Sequence, residues 1–183
     1  IEIHEDAINE NDIVLLHDEK IVERPVFYEE MLVYAHPDCE LLKKKEVGHE
    51  DIVTSDIWML GNGHCFRNQV VNLCEMSASQ HKNLPFEFES NSLETLMRIV
   101  DVEGGFTLIP ELALQYMSPE KKKQVRSIAN TKPLREVSVI YSRHFTKQRL
   151  ITLLCDEIKS VVPAHMLKRD RGMIVEWKAE KNE

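Results

Sequence analysis

The chain has 183 residues, of which 43% are hydrophobic and 30% are charged, and its formal net charge at pH 7 is −8. This length and composition are typical of a globular protein with one or two small domains and a real core. The acidic balance argues against a nucleic-acid surface, and the sequence has neither the apolar run of about 18 residues that a membrane span needs nor a signal peptide. We therefore expect a cytoplasmic protein whose four cysteines are thiols rather than a disulfide scaffold.

The first part of the chain predicts extended segments. Residues 1–6 and 12–16 are two candidate strands, joined by fewer residues than the about twelve that a parallel crossover requires. Pro25 to Ala35 is a longer run of β-branched, aromatic and aliphatic residues, which predicts a strand, and the turn signal His36-Pro37-Asp38 ends it.

A polar and basic segment follows that turn. Three consecutive lysines, Lys43 to Lys45, predict a solvated surface. Cys39 lies beside the turn with no close histidine or basic activator except this lysine run, so we expect an ordinary thiol there. Asp56 to Leu60 then predicts a buried strand.

A second thiol, Cys65, lies where this strand gives way to a helix. Gly61 and Gly63 break the strand, and the absence of Gly and Pro from residues 66–73 predicts a helix. In α/β sheets the carboxyl ends of strands are where ligands bind. His64, Arg67 and the positive end of the helix are expected to lower the pKa of Cys65, and such a thiolate reacts with oxidants to a sulfenic acid.

Cys74 is the nearest second thiol and the expected resolving partner of Cys65. If residues 65–74 form one helix, nine steps of about 1.5 Å separate the two α-carbons by roughly 13 Å. A disulfide requires α-carbons within about 7 Å, so the helix and the disulfide exclude each other and oxidation would have to refold the segment. The alternatives are two buried structural cysteines, or a zinc site with His64 and His81 that lacks the short Cys-x2-Cys spacing of structural zinc sites.

Residues 75–110 predict a loop followed by alternating strands and a helix. Residues 75–84 are a polar loop and residues 86–90 a strand. Asn91 is predicted to cap a helix, with Glu94 completing a capping box. The buried stripe of this helix consists of Leu93, Leu96, Met97 and Val100. Gly104-Gly105 is predicted to end this helix. A buried strand is then predicted over Phe106 to Ile109, and Pro110 is expected to open a helix over Glu111 to Met117.

The alternation of strand and helix over residues 86–117 argues for an α/β lobe with parallel strands. Glu136 to Tyr141 predicts an alternating strand, and Lys147 to Val162 predicts an amphipathic helix that Pro163 ends. Cys155 lies on this helix and is expected to pack in the core. Met173 to Trp177 is a last candidate strand.

The segment around Cys65 resembles a known redox motif. The run Gly63-His64-Cys65-Phe66-Arg67-Asn68-Gln69, followed by Cys74, is similar to the motif of the OxyR branch, the peroxide-sensing branch of the LysR-type transcriptional regulators. The resemblance extends to residues 91–96 and 105–110 and covers the chain from about residue 21 to about residue 160.

This resemblance implies a two-lobed, periplasmic-binding-protein-like α/β effector domain. Residues 1–32 and 135–183 would form lobe I, and residues 33–134 would form lobe II with the redox cysteines. The chain begins with Ile rather than Met, and the family's first strand and first helices are not recognisable in it. We therefore expect lobe I to be incomplete and the N-terminal winged helix-turn-helix, which reads DNA, to be absent.

The resemblance also implies roles for five residues. Cys65 would be the peroxide-reactive thiol and Cys74 its disulfide partner, and His64 and Arg67 would stabilise the thiolate. Asn68 stands where the family commonly has Asp. An amide can orient a peroxide by hydrogen bonds but cannot accept a proton as a carboxylate does.

The partners that the resemblance implies are hydrogen peroxide and a second copy of the chain, with a tetramer in the full-length protein. Promoter DNA and RNA polymerase would be contacted only through the full-length protein, and we expect no membrane, cofactor or metal and no enzymatic activity. In the family, the helix that matches Lys147 to Val162 makes dimer contacts, although the apolar stripe by itself is equally compatible with packing on the domain's own core. Two alternatives remain: a thiol peroxidase that turns peroxide over, and a LysR-type effector domain that binds a small metabolite and whose cysteines are incidental.

Overall fold

The computed structural model describes residues 20–52, 57–61, 65–74, 92–130 and 132–175. Its strands and α-helices are β1 (Ile21–Ala35), α1 (His49–Ile52), α2 (Cys65–Cys74), α3 (Leu93–Glu103), β2 (Phe106–Pro110), α4 (Pro119–Lys122), β3 (Val125–Arg126), β4 (Pro133–Ser142), α5 (Gln148–Val161) and β5 (Met173–Ile174). Short 3-10 helices cover Glu40–Lys43, Glu111–Tyr116, Ala164–Leu167 and Arg169–Arg171. The candidate strands at residues 1–6, 12–16 and 86–90 and the polar loop at 75–84 lie outside the described residues.

The five strands form one mixed sheet in the order β2-β1-β4-β5, with β3 beside β1. β1 and β2 are antiparallel, with Met31 opposite Pro110 and Ala35 opposite Phe106, so the expected parallel arrangement is wrong for this pair. β4 and β5 are parallel, with Pro133 opposite Met173. The predicted strands at 25–35, 106–109 and 136–141 are therefore confirmed, and β4 begins three residues before its predicted start. The last candidate strand, predicted over 173–177, is confirmed for Met173–Ile174, and residues 176–177 lie outside the described residues.

The chain forms two compact units. Among the described residues, the first unit contains 20–28 and 136–171. The second unit contains 172–175 and the described parts of 29–135. The division into lobes at residues 32 and 135 stays a prediction. None of the helices in the described part of the chain has the length and apolarity that crossing a bilayer requires.

In the second unit, the side chains of β1 alternate between two apolar clusters. Met31, Val33 and Ala35 belong to one cluster, and Leu32 and Tyr34 belong to the other. Successive side chains of a strand point to opposite faces of the sheet, so a strand that is apolar at every position must be covered on both sides. All five residues are buried, because both faces of β1 are covered here.

Helix α3 packs on the Leu32–Tyr34 side through the predicted stripe. Val100 is fully buried there, and Leu93 and Met97 are partly buried against the same cluster. Leu96, the fourth residue of the stripe, is buried in the cluster that contains Met31 and Val33. The predicted cap is wrong by one residue: the N-cap is Ser92, whose hydroxyl accepts a hydrogen bond from the amide of Thr95 at 3.4 Å. This start makes Glu94 the second helical residue, so Glu94 does not stand in the position that a capping box needs.

Polar side chains tie α3 to β1 and α4. The hydroxyl of buried Tyr34 donates a hydrogen bond to Asp101 at 2.6 Å, and the Asp101 carboxylate pairs with Lys121 at 2.5 Å. Gln124 donates to both Asp101 and the backbone carbonyl of Ala35. Burial raises the pKa of Asp101, but the hydrogen bonds from Lys121, Tyr34 and Gln124 outweigh burial and hold it below its usual value.

After α3, two predictions need adjustment. Gly104 and Gly105 end the helix as predicted, with positive φ angles of 89° and 77°. The helix predicted over 111–117 is a 3-10 helix over Glu111–Tyr116, and Pro110 is the last residue of β2 rather than the first of the helix.

The first unit is built around α5, as the amphipathic pattern predicts. Cys155 on this helix is fully buried, which confirms its expected place in the core, and Met166 is buried as well. Arg24 of β1 donates a hydrogen bond to the hydroxyl of Thr152 on α5 at 3.1 Å. Other apolar side chains of α5 are exposed, with fractional exposures of 54% for Leu150 and 69% for Val161.

Candidate redox site

The two candidate redox cysteines are the first and last residues of helix α2, Cys65–Cys74. The helix is unbroken, which confirms the predicted helix in this segment. Its geometry places the α-carbons of the two residues roughly 13 Å apart. Since a disulfide requires about 7 Å or less, the backbone of this state cannot hold a bond between them.

Apolar packing on one face holds α2 in the second unit. Phe66, Val70 and Leu73 are 3%, 4% and 6% exposed and belong to the cluster that also contains Met31 and Val33. Their spacing of four and three residues places them on one side of a helix. Unwinding α2 would therefore cost the burial of three large side chains, each worth about 1.5–3 kcal/mol.

Among the described residues before α2, Ile57, Met59 and Leu60 are buried and Trp58 is partly buried. Residues 57–60 do not form the strand predicted over 56–60, and Asp56 lies outside the described residues. Ile57 makes a single bridge to Phe106, and the Trp58 amide donates to the Phe106 carbonyl at 2.8 Å. Beyond this point a side chain, rather than a neighbouring strand, satisfies the backbone: the Thr107 hydroxyl donates to the Trp58 carbonyl at 2.8 Å.

Arg67 anchors the first turn of α2 to the segment before it. Its Nη1 donates a hydrogen bond to the backbone carbonyl of Leu60 at 3.1 Å. Leu60 itself is 3% exposed, so this carbonyl has little access to water. The Arg67 guanidinium therefore lies where residues 57–61 lead into α2, as the sequence predicts. Its role as a thiolate stabiliser stays a prediction.

The last turn of α2 has a partner that the sequence reasoning missed. Nε2 of His49, in α1, lies 2.5 Å from the backbone carbonyl of Leu73. Because a carbonyl can only accept, Nε2 must carry the proton and donate. The last carbonyls of a helix have no partner within the helix, and His49 supplies one. No local sequence signal connects the two residues, since the contact depends on how α1 and α2 pack.

A buried ion pair borders the first turn of α2. The carboxylate of Glu29, 1% exposed, pairs with Nε of Arg135 at 2.6 Å. The guanidinium of Arg135 also lies over the ring of Phe66, 5.4 Å from its centroid. From the sequence alone, Glu29 is expected within a strand and Arg135 just before one, with no site role for either residue. The available signal was Glu29 itself, a carboxylate inside the apolar run 25–35, since buried carboxylates are rarely unpaired.

The remaining predicted site residues are only partly covered by the description. His64 and His81 lie outside the described residues, and the side chains of Cys65, Asn68 and Cys74 do as well. The zinc alternative depends on these side chains. Within the described residues there is no group of three or more His, Cys, Asp or Glu side chains that could hold a metal ion.

Cys39 lies at a different place in the second unit. It lines a cavity of about 530 Å³, together with His36, Asp38, Glu40, Leu41, Glu50, Asp51, Gly104, Gly105 and Phe106. The Cys39 amide donates a hydrogen bond to the His36 carbonyl in the turn after β1, and Nδ1 of His36 accepts one from the amide of Asp38. The expectation of an ordinary thiol at Cys39 stays a prediction. The neighbouring lysine run is exposed as predicted, and Lys44 pairs with Asp51 at 2.6 Å.

Comparison with known proteins assigns the fold to a family. Residues 7–163 match the family described as "LysR substrate binding domain". The chain is 26% identical over 151 residues to the "Hydrogen peroxide-inducible genes activator" of Haemophilus influenzae, covering 79% of this chain and 48% of that protein. It is 28% identical over 154 residues to the "DNA-binding transcriptional dual regulator OxyR" of Escherichia coli, covering 82% and 48%. The chain therefore spans about half the length of these curated relatives.

Solved structures agree with this assignment and with the predicted fold class, a two-lobed α/β effector domain. OxyR from Porphyromonas gingivalis matches with a TM-score of 0.76 and 28% identity, over 87% of this chain and 72% of that one. The reduced form of the OxyR regulatory domain from Pseudomonas aeruginosa matches with a TM-score of 0.65 and 26% identity, over 78% and 67%. Both curated relatives are named as regulators of genes rather than as enzymes. The chain thus belongs to the LysR substrate-binding domain family, and OxyR regulatory domains are among its structural relatives.

Proposed function

We propose that this chain is the regulatory domain of a transcription factor that senses hydrogen peroxide through a reversible disulfide between Cys65 and Cys74. One observation carries the proposal: the two cysteines close the ends of a continuous helix, so that bonding them requires the helix to refold. A segment with two exclusive states is what a switch needs. The names of the relatives, which refer to hydrogen peroxide, support peroxide as the oxidant.

The proposed chemistry removes two electrons from two thiols. The Cys65 thiolate attacks one oxygen of the peroxide, the O–O bond breaks, and the departing hydroxide takes up a proton and leaves as water. The resulting sulfenic acid is attacked by the Cys74 thiol, the S–S bond forms, and a second water leaves. Two equivalents of a cellular thiol return the pair to its reduced form.

Three neighbours complete the proposed site. His64 and Arg67 place positive charge near Cys65 and favour its thiolate, and Asn68 orients the peroxide by hydrogen bonds. The hydrogen bond from Arg67 to Leu60 supports this assignment, because it fixes a cation at the entry to α2. The positive end of the helix acts in the same direction.

The proposal extends to a homodimer, and to a tetramer in the full-length protein. Exposed apolar side chains on α5 support a dimer contact there, since such patches mark interaction sites. They are Leu150, Leu153, Leu154 and Val161, with exposures of 54%, 54%, 49% and 69%. The full-length protein would act in the cytoplasm and would contact promoter DNA and RNA polymerase. In it, the oxidation state of Cys65 and Cys74 would control DNA binding.

Thiol counting before and after peroxide tests the disulfide. We expect one equivalent of peroxide to remove two of the four thiols, and peptide mapping to join Cys65 with Cys74. Cys65→Ser should abolish the loss, and Cys74→Ser should stop at a sulfenic acid on Cys65. Cys39→Ser is the matched control and should lose two thiols like the parent chain. A disulfide that includes Cys39, or no loss of thiols, contradicts the proposal.

Refolding of α2 needs its own measurement. Limited proteolysis of the reduced and oxidised chains should differ at residues 62–76, because the disulfide cannot coexist with the helix. Identical patterns would count against a switch. Sustained turnover of peroxide with a thiol reductant would instead favour a thiol peroxidase, and a ligand response retained in Cys65→Ser would favour a metabolite-binding domain.

A further inference from the structure

We propose that Arg135, fixed in place by the buried carboxylate of Glu29, is a positioning residue that stabilises the helical, reduced state of α2 through its contact with Phe66, and so sets the redox equilibrium of Cys65 and Cys74. The inference rests on the proposed function, since it concerns the balance between the two states of that switch. It adds a residue, distant in sequence, that no motif around the cysteines includes.

Glu29 is the buried charge partner of Arg135. Its carboxylate is 1% exposed, and one oxygen pairs with Nε of Arg135 at 2.6 Å. The other oxygen accepts a hydrogen bond from the amide of Leu112 at 3.1 Å, at the start of the 3-10 helix Glu111–Tyr116. A buried carboxylate that loses its partner is strongly destabilising. Arg135 therefore cannot leave Glu29 without a large penalty.

The same guanidinium lies against α2. It is 5.4 Å from the centroid of the Phe66 ring, within the about 6 Å at which a cation is attracted to a ring face. Phe66 is 3% exposed, and the side chain of Arg135 is 26% exposed. Such partly desolvated contacts are stronger than those at the open surface.

The contact belongs to one state of the switch. Phe66 directly follows Cys65 and lies in the first turn of α2. Forming the disulfide requires the helix to refold, which moves the first turn and with it the ring, whereas Glu29 holds Arg135 where it is. The attraction between Arg135 and Phe66 is then lost on oxidation and counts in favour of the dithiol.

The equilibrium can be measured by exchange with glutathione. One glutathione disulfide oxidises the two protein thiols, two glutathione thiols are released, and two electrons pass from the protein to glutathione. Titration with glutathione buffers of known composition gives the equilibrium constant for protein disulfide formation. Quenching and thiol alkylation at each composition report the fraction oxidised.

Phe66→Leu is the decisive variant. It keeps an apolar side chain in the core but removes the ring, and we expect the equilibrium constant to rise about three- to tenfold. Leu is a better helix former than Phe, so helix propensity alone would lower the constant. Phe106→Leu is the matched control: Phe106 is buried in the same cluster, no cation is placed over its ring within the described residues, and its constant should stay unchanged.

A double-mutant cycle separates the cation from the burial of Phe66. Arg135→Lys keeps a charge for Glu29 but has no planar guanidinium to lie on the ring. We expect it to raise the equilibrium constant in the parent chain and to have little further effect in the Phe66→Leu background. Additive effects of the two substitutions, or equal shifts in Phe66→Leu and Phe106→Leu, would overturn the inference. A parent chain that forms no Cys65–Cys74 disulfide would overturn the proposed function instead.

Discussion

His49 donates a hydrogen bond from Nε2 to the backbone carbonyl of Leu73, and thereby closes the C-terminal end of the helix whose last residue is Cys74. Together with the bond from Arg67 to Leu60, this places a side-chain contact at each end of α2. Both contacts are made to backbone carbonyls, so they depend on the path of the chain rather than on the identity of Leu60 or Leu73. The helix is therefore held at its ends as well as along its buried face.

Replacing His49 should loosen the last turn of α2. We expect His49→Ala to lower the stability of the reduced chain by about 1 kcal/mol, because one net hydrogen bond is lost. Amide hydrogen exchange at residues 70–74 should accelerate, and peroxide should close the disulfide faster. His144→Ala, an exposed histidine of the first unit, is the control. Unchanged exchange in the His49 variant would show that the bond does not hold the helix end.

Asp101 should give the second unit a dependence on acid pH. Its pKa is below the usual value because hydrogen bonds from Lys121, Tyr34 and Gln124 outweigh the opposing effect of burial. A carboxyl whose pKa is lower in the folded chain contributes stability above its unfolded pKa of about 3.9, and this contribution disappears as the pH falls through the folded value. Tyr34 stays neutral in this range, since burial and Asp101 raise its pKa.

Asp101→Asn tests this dependence by removing the charge at every pH. We expect the variant to be about 1–2 kcal/mol less stable than the parent at pH 7, from the loss of charged hydrogen bonds. Urea unfolding at a series of pH values should show the difference shrinking below about pH 4. Asp156→Asn, at an exposed position of α5, should leave the whole profile unchanged. If the difference in free energy of unfolding between the parent and Asp101→Asn persisted at low pH, the loss would come from packing rather than from the charge of Asp101.

Gly104 holds a backbone conformation that other residues avoid. Its φ is 89° and its ψ is −169°, a region that is essentially restricted to glycine. An added Cβ would have no atom within 4 Å, so the penalty for Gly104→Ala is one of backbone strain alone, about 1–3 kcal/mol. Equilibrium unfolding in urea measures this loss of stability.

The matched control is Gly48→Ala. Gly48 has no positive φ, and the three atoms nearest to an added Cβ belong to the end of the flexible Glu50 side chain, which can move away. The free energy of unfolding of Gly48→Ala should therefore change little. If Gly104→Ala and Gly48→Ala lost the same free energy of unfolding, backbone strain at Gly104 would not explain the loss. The Gly104 carbonyl also accepts a hydrogen bond from the indole of Trp58 at 2.9 Å, so Trp58 fluorescence should report any shift of this turn.

A charge on the exposed face of α5 should weaken the proposed homodimer. Leu154 is 49% exposed in the single chain, and Leu154→Glu would place a carboxylate in the contact, where desolvation is costly. Sedimentation equilibrium should show a dissociation constant raised about tenfold or more, which corresponds to at least 1.4 kcal/mol. Val102→Glu, at a 77% exposed position of the second unit, makes the same chemical change elsewhere. If both variants associate like the parent, α5 is not the contact.

Local sequence patterns predicted most of the elements around the site. The helix over 65–74, the stripe of α3 and the double glycine after it depend on spacing and on residues close in the chain, and the structure confirms them. Of the two glycines before Cys65, Gly63 lies outside the described residues. The strand predicted over 56–60 is not formed, because Ile57 is the only one of residues 57–60 that bridges to another strand. The carbonyl of Trp58 accepts a hydrogen bond from the Thr107 hydroxyl instead of from the amide of a neighbouring strand. The N-cap of α3 is Ser92 rather than the predicted Asn91. Asn and Ser cap helices about equally well, so their adjacent positions in the sequence do not show which of them is the cap.

Composition, periodicity and the cysteine spacing by themselves determined that the chain is an α/β domain with a thiol at each end of one helix. The tertiary structure decided what holds that helix: His49 at its last turn, Arg67 at its first, and Arg135 over Phe66, in turn fixed by Glu29. The physical reason is that helices and strands follow from interactions between near neighbours, whereas these contacts join residues far apart in the chain. Such residues meet only after the sheet and helices have packed and excluded water.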